Sequence, residues 1–145
     1  MTPRLGQPPD PDRRYVLRPG VYAILPRHDA LLLTHQAIPW PEVQLPGGGI
    51  DPGEQPLAAL HREVYEETGW RIGRPRRLGA FRRFTYMPEY DLWAEKLCII
   101  YSALPVRPLG VPSEPGHHAL WMSARQAAEE LGNPGDRAFV RRHAL

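Results

Sequence analysis

Leu45-Pro46-Gly47-Gly48-Gly49-Ile50-Asp51-Pro52-Gly53-Glu54, with the helical run that follows it to Gly69, decides how this chain is read. Three consecutive glycines, Gly47, Gly48 and Gly49, reach backbone conformations closed to other residues and let a main-chain carbonyl approach a ligand or a metal. Asp51-Pro52-Gly53 is turn chemistry, with Pro52 and Gly53 at the two central positions. Pro56 suits an early helix position, where no backbone donor is needed. Gly69 suits the helix end. The pattern predicts a helix over residues 55–68.

Within that helix Leu57, Leu60 and Val64 keep a 3, 4 spacing and form the expected core stripe. At roughly 100° per residue, Glu63, Glu66 and Glu67 fall within an arc of about 100° beside the stripe. Three carboxylates so close repel one another, so folding alone does not favour the cluster. A hard divalent cation reverses the sign, because Mg²⁺ takes oxygen ligands and brings substrate phosphates with it. Arg62, four residues before Glu66, offsets part of the charge. Each piece alone has a plainer meaning. A Glu-Glu pair is usually a solvated helix face, and a triglycine is usually a flexible turn. The run is not a P-loop, because no Gly-Lys-Ser/Thr follows. Nor is it an EF-hand, whose ligands are spread along a loop.

Outward from this segment, the chain alternates strands and helices. Residues 15–25 read as a strand broken near Pro19 and Gly20. Arg27-His28-Asp29 reads as a turn, 30–34 as the returning strand and 36–53 as loop. Residues 77–86 and 92–104 read as two more strands, and 105–116 as a proline-rich loop. Ser123 and Gln126 suit a capping box for a helix ending at Gly132. A last short helix is expected over 136–144. Residues 1–14, rich in proline and charge, are expected as a flexible N-terminal arm, with one domain over 15–145. The element order implies an α/β fold with a mixed sheet and helices on its faces.

The 145 residues suit one domain, with 42% hydrophobic and 23% charged residues. A net charge of +2 is too small to imply nucleic acid as the partner. Lys96 is the only lysine among the cations. Cys98 is the only cysteine, so no internal disulfide can form, and a reducing compartment is expected. No signal-peptide core or membrane-length apolar run occurs. A cytoplasmic protein is expected, with no membrane partner; a homodimer is compatible with the sequence.

Gly48, Glu54, Arg62, Glu63, Val64, Glu66, Glu67, Gly69 and Trp70 match the Nudix signature at every fixed position. Trp70 is bulkier than the usual aliphatic end residue. The chain therefore resembles the Nudix hydrolases of MutT type, and the resemblance implies their α/β/α sandwich with a mixed sheet. It implies Mg²⁺, or Mn²⁺ in its place, and hydrolysis of a phosphoanhydride in a nucleoside diphosphate linked to another moiety. Candidate substrates are a nucleoside triphosphate, a nucleotide sugar such as ADP-ribose, or a dinucleoside polyphosphate. By the same resemblance, Glu66, Glu67 and Glu63 are expected as metal ligands, with the Gly47 carbonyl as backbone ligand. Glu63 is also a candidate general base, and Arg62 and Glu54 are expected to orient the carboxylates.

A later loop supplies the base in some members of the family. His118 stands where a glutamate is common there, which leaves Glu114 as the candidate acid. Trp40, Phe84, Tyr86, Tyr90 and Trp93 could stack on a base or sugar, and Arg27, Arg82 and Arg83 could hold outer phosphates. Of these, Arg27, Arg82, Trp40 and Tyr86 are taken as the substrate-binding set. Tyr86 and Pro88 do not fit the family's markers for diadenosine-polyphosphate or ADP-ribose hydrolases. Two other readings stand beside the small-nucleotide hydrolase. One is a non-catalytic nucleotide-binding regulator, against which the intact signature argues. The other is an RNA 5′-end pyrophosphohydrolase, hinted at by Arg71, Arg74, Arg76 and Arg77.

Overall fold

A computed structural model describes residues 2–145. Its strands are β1 (Val16–Ile24), β2 (Pro26–Arg27), β3 (Ala30–Gln36), β4 (Glu42–Gln44), β5 (Gly47–Gly49), β6 (Trp70–Met87), β7 (Leu92–Pro108) and β8 (His117–Ser123). Its helices are α1 (Pro56–Thr68), α2 (Ala124–Glu130) and α3 (Pro134–His143). One sheet runs β5-β1-β7-β6. Its β1–β7 pair is parallel and its other pairs are antiparallel, so the sheet is mixed. In the second sheet β3 pairs with β2, β4 and β8.

The period-two alternation of strand side chains builds two cores. On one side Val21, Ala23, Leu32 and Tyr101 meet Ala59, Leu60 and Val64 of α1. On the other, Ile24, Leu33, Phe81 and Cys98 meet Ala127 and Val140 of α2 and α3. The result is the expected α/β/α sandwich. Within α1 the buried stripe is Leu60 and Val64 with Ala59, whereas Leu57, in the first turn, is 45% exposed. Leu60→Ala would leave a cavity costing about 2–5 kcal/mol.

Local chemistry explains most boundaries. α1 has Pro56 at its start and ends at Gly69, whose φ of 76° is the left-handed conformation glycine tolerates. The Ser123 side chain accepts from Gln126 N–H at 3.1 Å and caps α2. Asn133 caps α3 by accepting from Gly135 and Asp136 N–H at 2.8 and 3.2 Å.

The structure departs from the sequence expectation in four places. β1 runs unbroken through Pro19 and Gly20. The Pro19 carbonyl accepts from Ile50 N–H at 3.0 Å, so the donor Pro19 lacks faces the end of short β5, not the β1–β7 ladder. The expected loop at 36–53 contains β4 and β5, the latter made of the three glycines. Strands β6 and β7 run longer than expected and absorb their irregular register at shifts between Arg71 and Ile72, Gly73 and Arg76, and Arg77 and Gly79. His118, set in the later loop by the family resemblance, lies with His117 at the start of β8, opposite His35 and Gln36. In the N-terminal segment, Leu5 N–H donates to the Arg82 carbonyl at 3.0 Å and Arg82 N–H to the Pro3 carbonyl at 2.8 Å.

Candidate active site

β5 places a backbone edge against α1. Ala23 N–H donates to the Pro46 carbonyl at 2.9 Å and Ile50 N–H to the Pro19 carbonyl at 3.0 Å. With Val21 opposite Gly48, this alternation directs Gly48 N–H toward β1. The Gly47 carbonyl, at the other end of the same planar peptide, therefore points away from β1. Gly47 N–H points the same way and donates to Glu67 Oε1 at 3.0 Å. Gly47 has φ of 153°, and a Cβ there would collide with the Val21 carbonyl and the Tyr22 backbone. A Cβ on Gly48 would run into the Glu63 carboxylate. Gly47 must be glycine because the β1 backbone lies against it, and Gly48 because strand and helix carboxylate touch there.

Arg62 organises the acidic side chains. Its Nε and Nη2 donate to the two Glu54 oxygens at 2.8 and 2.9 Å, a bidentate pair. Its Nη1 donates to Glu63 at 2.9 Å and to Glu66 at 3.1 Å, and its Nη2 also reaches the Gly49 carbonyl at 3.1 Å. The same guanidinium thus holds Glu54, Glu63 and Glu66. Pairing with Arg62 and a hydrogen bond from Asp51 N–H lower the Glu54 carboxyl to about 2. Burial raises Glu63, and Arg62 opposes the rise. Burial raises Glu67 well above the carboxylate range; Gly47 N–H opposes it, and Glu63 and Glu114 add to it.

A pH dependence follows from Glu54. Its depressed pKa contributes stability that is complete above its ordinary value of 4.5 and is lost as pH falls toward about 2. Arg62→Met removes the cause. Thermal melts between pH 6 and pH 2 should show a smaller acid-side loss in the variant than in the parent chain. An identical loss in both would separate Glu54 from acid stability.

The loop after β7 docks on the end of α1. Ser113 and Glu114 N–H donate to the Glu66 carbonyl at 2.9 and 2.8 Å. This brings Glu114 to a cavity of about 870 Å³ that also borders Gly47, Glu63, Glu67 and His117. His117 Nε2 lies 3.7 Å from Glu67 Oε2, and its Nδ1 is 3.0 Å from the Thr34 hydroxyl. Burial, then His35 and His118, lower the His117 pKa, which favours the neutral ring. His118 turns to the other face and stacks on His35 with centroids 4.8 Å apart.

The four residues expected to bind substrate lie outside this cavity's lining. Arg27 sits over Trp70 and Trp121 and donates to the Pro105 carbonyl at 2.7 Å, a corner brace. Arg82 pairs with Glu95 at 3.2 Å on the opposite sheet face. Tyr86 shares that parity, bonds to Asp91 and packs on Trp93. Trp40 is half-exposed on the β3–β4 connection, with its ring N–H 3.4 Å from Glu42. Arg83, one residue after Arg82, does border the cavity, as do Tyr22, Lys96 and Asp136. Strand parity separates Arg83, Tyr22 and Lys96 from their neighbours, and α3 brings Asp136. The parity becomes readable once Phe81 and Cys98 are known to face inward.

The model of the NUDIX domain matches residues 15–143. The chain belongs to the Nudix family. An RNA pyrophosphohydrolase of Cereibacter sphaeroides is 46% identical over 54 residues, 36% of this chain and 33% of that protein. The chain thus matches about a third of the length of such relatives. Among solved structures, a NUDIX hydrolase from Nitrosomonas europaea superposes with a TM-score of 0.73 at 22% identity, covering 87% of each chain. A MutT protein from Bacillus halodurans gives 0.70 at 22% identity, covering 86% of this chain and 80% of that one. These two likenesses show the Nudix fold. No helix among the described residues is long and apolar enough to cross a membrane.

Gly47, Glu63 and Glu67 border the cavity, whereas Glu66 lies outside its lining, and the Gly47 carbonyl and the α1 carboxylates are hard oxygens that fit Mg²⁺ or Mn²⁺ in kind. Among the described residues no three acidic, histidine or cysteine side chains converge closely enough to enclose an ion. Arg62 holds Glu63 and Glu66, and Gly47 N–H holds Glu67.

Proposed function

We propose that this Nudix chain hydrolyses a phosphoanhydride bond in a nucleoside diphosphate linked to another moiety, with Mg²⁺ or Mn²⁺ held by Glu63, Glu66, Glu67 and the Gly47 carbonyl. The observation that carries the reading is the junction of β5 and α1. There a strand carbonyl and a helix carboxylate are aimed into one cavity large enough for a nucleotide. The ion supplies charge neutralisation at the phosphates and a more acidic water. The chain supplies position. Arg62 and Glu54 fix the Glu63 and Glu66 carboxylates, and Gly47 N–H fixes Glu67. Glu63 and Glu114 both border the cavity and are the two candidates to accept the proton of the attacking water.

The test is phosphate release from nucleoside triphosphates, nucleotide sugars, dinucleoside polyphosphates and 5′-triphosphorylated RNA, with each metal in turn. Hydrolysis in ¹⁸O-water should place the label on a phosphate product. Label only on a sugar carbon contradicts attack at phosphorus.

RNA 5′-end hydrolysis is the second reading, favoured by the relatives that carry that name. It predicts RNA turnover that weakens steeply with added salt.

A further inference from the structure

Three basic side chains form a row across the first sheet. Arg18 of β1 is in register with Lys96 of β7, and Lys96 with Arg83 of β6. In-register residues on neighbouring strands share a face, and all three border the large cavity. Two positions further along, the same face carries Gly20, Cys98 and Phe81, and the last two are buried. The row therefore stands where the core gives way to the cavity.

Folding does not account for it. Neighbouring strands lie about 4.8 Å apart, and like charges directly opposite one another destabilise a sheet. Among the described residues none of the three forms an ion pair. Arg18 lies over the Tyr90 ring at 4.6 Å, and Lys96 lies 6.0 Å from the Tyr22 ring. The opposite face of the same strands uses the ordinary arrangement, a base beside an acid, in Arg82 and Glu95. Asp136 borders the same cavity and feels the charge of Arg83 and Lys96. It is buried, is 3.5 Å from Leu45 N–H, and is raised by burial to about 7 although Arg83 and Lys96 oppose the rise. It is an incomplete counter-ion for three cations.

We propose that Arg18, Lys96 and Arg83 form an anion subsite that takes a phosphate group of the substrate, separate from the phosphates at the glutamates. The row lies four residues along β1 from Tyr22, the residue opposite Gly47, which is roughly 13 Å of strand. The inference rests on the nucleotide-hydrolase reading for what the substrate is. The phosphate has two sources: a distal member of the polyphosphate chain, or a phosphate elsewhere on the substrate, such as a 3′-phosphate.

The first measurement is free of catalysis. In chelator-treated protein, inorganic pyrophosphate should raise the melting temperature by about 3 °C at saturating concentration. Lys96→Gln, Arg83→Gln and Arg18→Gln should each lose most of that shift. Without ligand they should melt no lower than the parent, because repulsion is relieved. The second measurement is kinetic. Each substitution should raise KM about tenfold and change kcat little. Two substrates distinguish the sources, a nucleoside 5′-triphosphate and the same nucleotide bearing a 3′-phosphate. An equal rise in KM for both places the phosphate in the anhydride chain, and a rise confined to the second places it on the sugar. An unchanged pyrophosphate shift in all three variants, or a loss of folding without ligand, overturns the subsite and makes the row structural. If no nucleotide is hydrolysed but the shift still depends on the row, the hydrolase reading fails and the phosphate site stands.

Discussion

Glu67→Gln should abolish most turnover and at the same time raise the melting temperature of the metal-free protein. Glu67 is 7% exposed, and burial raises its carboxyl well above the usual range. A group of this kind is less stable when ionised in the folded chain than in the unfolded one. Its penalty is absent below the ordinary value near 4.5 and grows as pH rises through the folded pKa. At neutral pH the glutamine removes that penalty and still offers an oxygen to Gly47 N–H. Turnover should fall at least about 10²-fold, the scale of single electrostatic groups in other enzymes. Glu66→Gln should lose activity on the same scale without that gain in stability, because Glu66 is paired with Arg62 and the glutamine weakens the pair. Calorimetry with chelator and turnover with Mg²⁺ read the two effects separately. Full activity in either variant removes that residue from the metal site. A lower melting temperature for Glu67→Gln contradicts the strain assigned to it.

The second large effect concerns the proton acceptor. Glu63 accepts from Arg62 and abuts Gly48, whereas Glu114 enters from the docked loop with no side-chain hydrogen bond among the described residues. If Glu114 is the base, Glu114→Gln lowers kcat by about 10²–10⁴-fold with little change in KM. Glu63→Gln then keeps more activity than Glu114→Gln. The reverse order gives the base to Glu63 and leaves the loop to position substrate. His117→Asn serves as control. It alters the 3.7 Å contact to Glu67 but not the loop's backbone bonds.

The helix and its acidic face were legible because their signals are local. Pro56, Gly69 and the spacing of Leu60 and Val64 act within a few turns, and Arg62 reaches Glu66 along one helix. The strand Gly47–Gly49 was not legible as a strand. Glycine has low strand propensity, and this one is held by backbone pairing with β1 and by contact with Glu63 and Glu67. The substrate side was least legible. Arg82 and Arg83 are adjacent in sequence and lie on opposite faces, and only the Arg82–Glu95 ion pair and the register of Arg83 with Lys96 show which one meets the cavity. Arg27 read as a free cation until its two tryptophans, more than forty residues away in sequence, came together around it.

The guanidinium that gathers Glu54, Glu63 and Glu66 also sets the order of assembly. Small metal-stapled domains are unfolded until their ion arrives, because nothing else compensates their ligands. Here the compensating charge is covalently part of the chain and already in contact. On the proposed metal-dependent reading, the chain would fold and persist without its ion and take up a divalent cation afterwards. Chelation should silence such a protein reversibly without opening it.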